Sequence, residues 1–236
     1  PENYNLNYLE KYLDSSLKNL QLDCIDLLQL HCPPKQIIES FELHETMKVL
    51  KKKGKILNYG ISVFNLEEAN AAINFNEVKS VQLVFNLFRQ KPLENFLKKA
   101  YKKKVAIIAR GPLVSGLLTG SITQNSIFPS SDHRNFNLKG KYFNISETFS
   151  GIPLKNSLKA INEIKKLLRN DISLIDLAFN WILNHKEITI AIPGATNEFQ
   201  VLQNYKYSKI NDFENLYKEI NKIYLKLIKD HDQKVS

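Results

Sequence analysis

Leu22-Asp23-Cys24-Ile25-Asp26-Leu27-Leu28-Gln29-Leu30-His31-Cys32-Pro33-Pro34 is the stretch on which the reading of this chain turns. Leu22 to Leu30 is a short apolar run with β-branched Ile25 inside it and a proline pair closing it. It predicts a strand buried on both faces, as in a parallel sheet. The run ends in a histidine, and in β/α folds chemistry collects where strands end and loops begin. His31 is therefore a candidate site residue, although this segment alone reads more simply as a core histidine bonded to a backbone carbonyl.

Upstream, Leu6, Leu9, Leu13, Leu17 and Leu20 recur at helical spacing and predict an amphipathic opening helix. Downstream, a helix is predicted over Gln36–Lys53, with Phe41, Met47 and Leu50 inward and Gly54 as its stop. Ile56–Ile61 reads as a strand, Leu66–Asn74 as a short helix and Ser80–Phe85 as a strand. Pro92 should open a helix at its favoured first position, carrying Leu93, Phe96, Leu97, Ala100 and Tyr101 on one face. Val105–Ala109 is the next strand. Gly111 to Pro153 shows no period, and an irregular segment this long inside a compact domain is usually functional. Helices follow at Leu154–Leu168 and Ser173–Asn184, the second with an approximate capping box from Ser173 and Asp176. Glu187–Ile192 is a fifth strand, Asn197-Glu198-Phe199-Gln200 a second capping pattern, and Asp212–Lys229 a last helix with Phe213, Leu216, Ile220, Ile223 and Leu227 inward.

With 236 residues and 43% apolar content, the chain can bury a core and reads as one domain, two at most. Its 2 cysteines offer neither a metal nor a disulfide framework, which suits a reducing, cytoplasmic setting. No apolar run reaches membrane-spanning length and no signal-peptide pattern opens the chain. Pro1 need not be the natural start. The formal charge of +9 raises nucleic-acid binding. Yet the clusters Lys51-Lys52-Lys53-Gly54-Lys55 and Lys98-Lys99-Ala100-Tyr101-Lys102-Lys103-Lys104 fall at helix ends, where cations suit the C-terminal dipole. No aromatic-basic interleaving accompanies them, so steering of an anionic small molecule is the preferred reading.

Alternating strands and helices mean a parallel sheet with helical crossovers. No G-x-G-x-x-G follows an early strand, which argues against a doubly wound sheet and for a barrel. Only five strands are readable where a closed barrel has eight.

In register along the chain, several segments resemble the aldo-keto reductase family, in its bacterial aryl-alcohol-dehydrogenase-like branch. They are Ser16–Leu20 through His31, Gly54-Lys55-Ile56 through Gly60-Ile61-Ser62, and Val81–Leu87. They continue with Ala109–Gly120, Asp132-His133-Arg134, and Ile192-Pro193-Gly194-Ala195 through Asn204. The resemblance implies an α/β fold, an incomplete (β/α)8 TIM barrel comprising strands 4 to 8 with their helices. Residues 1–236 would form a single partial domain lacking the first three barrel strands. It implies an NAD(P)(H)-dependent oxidoreductase that reduces aldehydes or ketones to alcohols, or the reverse, by hydride transfer. The family's tetrad is Asp, Tyr, Lys and His. His31 matches the histidine, and the other three would precede Pro1, so this chain is expected to be inactive alone. Tyr4, Tyr8 and Tyr12 are not given the acid's role.

The resemblance also assigns the cofactor residues. Ser62 and Gln82 would bind the nicotinamide carboxamide, a pairing of hydroxyl and amide that suits a group with both donor and acceptor. Arg110 stands where many members stack a Tyr on the nicotinamide, a role its planar guanidinium can share, and Val63 stands where many carry Asn. Gly111, Leu113 and Ser115 would hold the pyrophosphate. Gly194, Ala195, Thr196, Gln200 and Asn204 would hold the adenosine end, beside a helix N-terminus. None of Gly194, Thr196 or Gln200 is basic, where many NADP users carry Lys or Arg, so the cofactor is NADP(H) or NAD(H).

Asp26, His31 and Ser62 lack the G-x-S-x-G elbow of a hydrolase. Asp132-His133-Arg134 reads as a loop or lid element, with a solvated turn and a metal or anion site as alternatives. His44, His185 and His231 carry no assigned chemistry. A non-catalytic nucleotide-sensing or regulatory subunit is the second functional reading, and a basic nucleic-acid binder the lowest. The expected partner is a small carbonyl substrate, with no nucleic acid and no membrane, and with self-association through open barrel edges.

Overall fold

A computed structural model describes residues 4–207 and 213–235 of the chain. Asp212, the expected start of the last helix, lies outside the described residues. The chain divides into two compact units. One takes in the chain up to Leu83 together with Lys99–Ala106, the other Val84–Lys98 and the chain from Ile107 onward.

The first unit opens with α1 (Leu6–Leu20), capped by Asn5, whose side chain accepts the Tyr8 N–H at 2.9 Å. α1 buries Leu13 and Leu17. β1 is Ile25–Leu30, shorter than expected, and Leu22 is exposed. The expectation of a strand buried on both faces is corrected: only Leu30 is buried, and Ile25, Leu27 and Leu28 are half-covered. Among the described residues β1 pairs only with β2 (Ile56–Ser62), in parallel from Ile25↔Ile56 to Leu30↔Ile61, so its other flank lacks the neighbour that would complete its cover.

The single helix expected at Gln36–Lys53 is two, α2 (Lys35–Ile38) and α3 (Phe41–Lys52). The break falls where the Ser40 hydroxyl accepts the Leu43 N–H at 3.3 Å, a cap that competes with continuing the helix. Phe41 thereby lands in the first turn and is 73% exposed rather than inward, while Leu43, Met47 and Leu50 face the core. α4 (Leu66–Ala72) is capped by Asn65 and packs three alanines. β3 (Val78–Val84) starts two residues before the expected Ser80. It pairs in parallel with β2, with a register shift between Tyr59 and Gly60. A Cβ on Gly60 would stand 2.0 Å from Ser80 Oγ and 2.8 Å from the Ser80 carbonyl, so this close approach admits only glycine.

In the chain leading to α5 (Phe96–Lys102), Pro92 opens a short 3-10 turn, Lys91–Leu93, and not the helix itself. Tyr101 is exposed, contrary to expectation, because the buried line of α5 is Phe96, Leu97 and Ala100. Lys99 and Lys102 occupy its last turn, where cations favour the dipole.

The second unit contains β4 (Ala106–Arg110) from Ile107 onward, then the long segment from Gly111 to Pro153. That segment holds only the four-residue α6 (His133–Phe136) and 3-10 turns at Leu117–Thr119, Ile145–Glu147 and Phe149–Gly151. α7 (Leu154–Leu167) and α8 (Leu174–Leu183) follow, with the capping box of Ser173 and Asp176 fully formed. β5 is Ile190–Ile192, three residues of the six expected, and runs parallel to β4 from Ile108↔Ile190 to Arg110↔Ile192. Then come α9 (Glu198–Tyr207), α10 (Glu214–Leu227) and α11 (Lys229–Val235). The expected last helix thus breaks at Ile228. Its buried line is Ile220, Tyr224 and Ile228, with Phe213, Leu216, Ile223 and Leu227 half-covered. Trp181 on α8 stacks on Phe85 with ring centroids 5.0 Å apart, at the heart of this unit's core.

Candidate functional site

The polar residues expected of a site fall into two groups, one in each unit. In the first unit, β1 ends at His31, whose side chain is exposed and whose carbonyl accepts from Tyr4 Oη at 3.4 Å. At the ends of β2 and β3, register pairs Ser62 with Gln82. The Ser62 hydroxyl donates to Gln82 Oε1 at 3.3 Å and accepts from the Cys32 thiol at 3.6 Å. Ser62 and Val63 are buried and Gln82 half-buried. That geometry leaves the Gln82 amide hydrogens as donors beside a hydroxyl.

The second group surrounds a cleft of about 1120 Å³. Seven of the residues that the resemblance assigns to the cofactor line it: Gly111, Leu113, Ser115, Gly194, Thr196, Gln200 and Asn204. Arg110 and Ala195 do not line it, although each adjoins a residue that does. The wall is built by a turn after β4. Gly111, Val114, Ser115 and Gly116 all have positive φ, at 65°, 52°, 54° and 92°. Left-handed backbone at a β-branched residue such as Val114 is strained by about 1–3 kcal/mol and persists only where the surroundings enforce it. The Ser115 hydroxyl provides part of that enforcement. It donates to the Glu147 carbonyl at 3.2 Å and accepts the Phe149 N–H at 3.1 Å. The N–H groups of Val114 and Gly116 are taken by the carbonyls of Gly111 and Leu113. Those of Leu113 and Ser115 make no hydrogen bond among the described residues.

Opposite stands the start of α9. Asn197 Oδ1 accepts the Gln200 N–H at 3.0 Å, and Gln200 Oε1 accepts from the Thr196 N–H at 2.7 Å and its hydroxyl at 3.2 Å. The capping pattern read at Asn197–Gln200 forms, but its return bond reaches Thr196. Asn204 Nδ2 ties back to the Gly194 carbonyl at 3.3 Å.

Among the other lining residues, Asp132, His133 and Arg134 were marked in the sequence as a loop or lid element, whereas Glu147 was not. Glu147 pairs with the Arg110 guanidinium; nothing in the irregular 111–153 segment marked it. Asp132 binds Arg134 through Nε at 3.0 Å and Nη2 at 2.6 Å, and also caps α6. That guanidinium, with the Arg134 N–H, holds the Asp132 carboxyl well down, at about 2. Arg134 in turn lies over the Phe128 ring, 4.4 Å from its centroid. His133 also lines the cleft, and its Nδ1 lies 3.1 Å from Thr148 Oγ1. Among the described residues, no group of three His, Cys, Asp or Glu side chains is placed to hold a metal. The cleft offers uncommitted N–H groups on a strained turn beside a helix start and neutral amide and hydroxyl groups, which suits an elongated ligand with an anionic middle and a polar end.

Strands joined by helices, paired in parallel within each unit, and a cleft at the ends of β4 and β5 define a partial (β/α)8 barrel. The chain belongs to the aldo/keto reductase family, whose profile matches residues 1–224. It is 34% identical over 191 residues to Aldo-keto reductase YhdN of Bacillus subtilis (strain 168), covering 80% of this chain and 55% of that protein. It is 27% identical over 221 residues to the NADP(+)-designated Aldo-keto reductase yakc of Schizosaccharomyces pombe, covering 91% of this chain and 61% of that protein. Among solved structures, the glycerol dehydrogenase AKR11B4 from Gluconobacter oxydans matches with a TM-score of 0.77 at 26% identity, covering 95% of this chain and 66% of that one. The chain thus spans between about half and two thirds of the length of these relatives. No helix among the described residues is long and apolar enough to cross a membrane.

Proposed function

We propose that this chain works as, or within, an NAD(P)(H)-dependent oxidoreductase that interconverts small aldehydes or ketones and alcohols in the cytoplasm, with residues 1–236 as a single partial reductase domain. One observation carries the reading: seven residues assigned to the pyrophosphate and adenosine ends by family resemblance line one cleft. When bound, a nicotinamide dinucleotide supplies or accepts the hydride.

The chain's own residues have the following work. The Leu113 and Ser115 N–H groups would take the pyrophosphate, as N–H groups in a positive-φ turn suit an anion. The α9 start, with Gly194, Ala195, Thr196, Gln200 and Asn204, would hold the adenosine. Ser62 and Gln82 would fix the carboxamide, and Arg110 would lie against the nicotinamide. His31 would donate a hydrogen bond that orients the substrate carbonyl while charge develops on its oxygen. Gly194, Thr196 and Gln200 bring no cation toward a 2′-phosphate, which leaves the choice between NADP(H) and NAD(H) to experiment.

Calorimetric titration of the chain with NADPH and with NADH tests this. Saturable one-site binding of at least one is expected. No heat from either at about 1 mM nucleotide would sink the proposal, since affinity weaker than that contributes under about 4 kcal/mol. Binding without turnover of any aldehyde would favour the nucleotide-sensing reading of the same fold.

A further inference from the structure

The family match ends at residue 224, and beyond it a buried carboxylate is bonded to the loop after β3. Asp232 on α11 is fully buried. Its Oδ2 accepts the Gln90 N–H at 2.8 Å, the Lys91 N–H at 3.0 Å and the Tyr224 hydroxyl at 2.6 Å, and its Oδ1 lies 3.4 Å from Arg89 Nε. A buried carboxylate with this many donors is a rigid anchor, because releasing any of them leaves a charge or an N–H without its bond.

What it anchors is the loop after β3. That loop is closed by reciprocal Asn86 and Arg89 backbone bonds, 3.3 and 2.9 Å long. Its first residue, Asn86, is completely buried. Asn86 Oδ1 accepts the Phe88 N–H at 2.9 Å, and Nδ2 donates to the Gly111 carbonyl at 2.9 Å and to Ser150 Oγ at 3.1 Å. Gly111 opens the strained turn, and Ser150 follows Phe149, whose N–H binds Ser115 Oγ. One amide therefore grips both segments that shape the cleft's wall.

We propose that Asp232 is a positioning residue for this cleft, acting through the 86–91 loop and Asn86 on the Gly111–Gly116 turn. The inference rests on the nucleotide reading of the cleft for its functional meaning, but its mechanical content stands apart from it.

The test compares Asp232→Ala, Asp232→Asn, Asn86→Ala and the Asp232→Ala/Asn86→Ala pair, all well below their melting temperatures. Amide exchange is read at Val114 and Gly116, whose N–H groups close the turn, against Ile107 in β4 as internal standard. Asp232→Ala should speed exchange at Val114 and Gly116 by about fivefold or more relative to Ile107, the equivalent of losing one hydrogen bond. It should weaken nucleotide binding by a similar factor. Asp232→Asn, which keeps one acceptor oxygen, should recover part of both effects. If the alanine variant does not fold, Asp232→Asn carries the same comparison with a smaller effect of about twofold. In the double variant Asp232→Ala should add nothing to Asn86→Ala, because both act along one path.

A lower melting temperature with unchanged exchange at Val114 and Gly116 would overturn the inference, as would additive effects in the double variant. If the unaltered chain binds neither NADPH nor NADH, the proposed function fails, and the exchange data still decide the positioning role.

Discussion

His44 illustrates how a single buried side chain sets a pH limit. Its Nε2 faces the Ile38 carbonyl at 2.8 Å and its Nδ1 the Tyr59 hydroxyl at 2.7 Å. A carbonyl only accepts, so Nε2 carries the hydrogen and Nδ1 accepts from Tyr59. Burial pushes the imidazole below its ordinary range, opposed in part by the Ile38 carbonyl and the Glu77 carboxylate, while Lys48 adds to the fall. The group is neutral in the fold and takes up a proton more readily when unfolded. Its stabilisation is therefore complete above about pH 6.5 and lost as pH falls through the lower folded value. Thermal melts from pH 7.5 to 5 should fall for the unaltered chain and fall less for His44→Gln; parallel curves would refute this. Ser115 offers a second case. Ser115→Ala removes two hydrogen bonds from a strained turn, and about 1–3 kcal/mol of stability with them, measurable by urea unfolding. The resemblance brought Ser115 to notice but not its partners. The Glu147 carbonyl and the Phe149 N–H lie 32 and 34 positions away in a segment without period, and no local pattern encodes such a bond.

Elements were legible where a period or a cap was strong. α7 and α8 start and end within a residue of their expected limits, because apolar spacing and the Ser173–Asp176 box agree. Ser40 shows the opposite: an uninterrupted apolar pattern over Gln36–Lys53 hid a serine that caps a new helix. β5 shrank to three residues because Thr189, just ahead of it, trades both its N–H and its hydroxyl with Ile107 outside the strand ladder. Gly60 carries the sharpest test at this scale. Gly60→Ala would drive a methyl into Ser80 Oγ and the Ser80 carbonyl. A side chain can move away but the paired backbone of β3 cannot, so a loss of about 2–4 kcal/mol is expected by denaturant unfolding. A change below about 0.5 kcal/mol would show that the register at Tyr59/Gly60 is not as described.

Taken whole, the chain has a net charge of +9, part of which is met within the fold, as with Lys53 and Lys55 on Glu10. Electrophoretic retardation of DNA is expected only at low salt and without sequence preference. The alternation of strand and helix was readable from end to end, but register and the loops that shape the cleft were not, since both depend on contacts between residues far apart in the chain. β5 leaves Ile190 49% and Ile192 38% exposed. Apolar side chains on an edge strand invite pairing with another chain, so sedimentation should show concentration-dependent association of the isolated chain, and a strictly monomeric profile would count against it. The ring packing around Trp181 has a practical corollary. It is the single tryptophan of the sequence, 4% exposed, with the His185 ring edge-on at 4.7 Å. The molecule thus carries a single built-in lamp, set in the core beside Phe85. Its glow should dim once acid charges the neighbouring imidazole, at a pH below the usual histidine range because burial resists that charge.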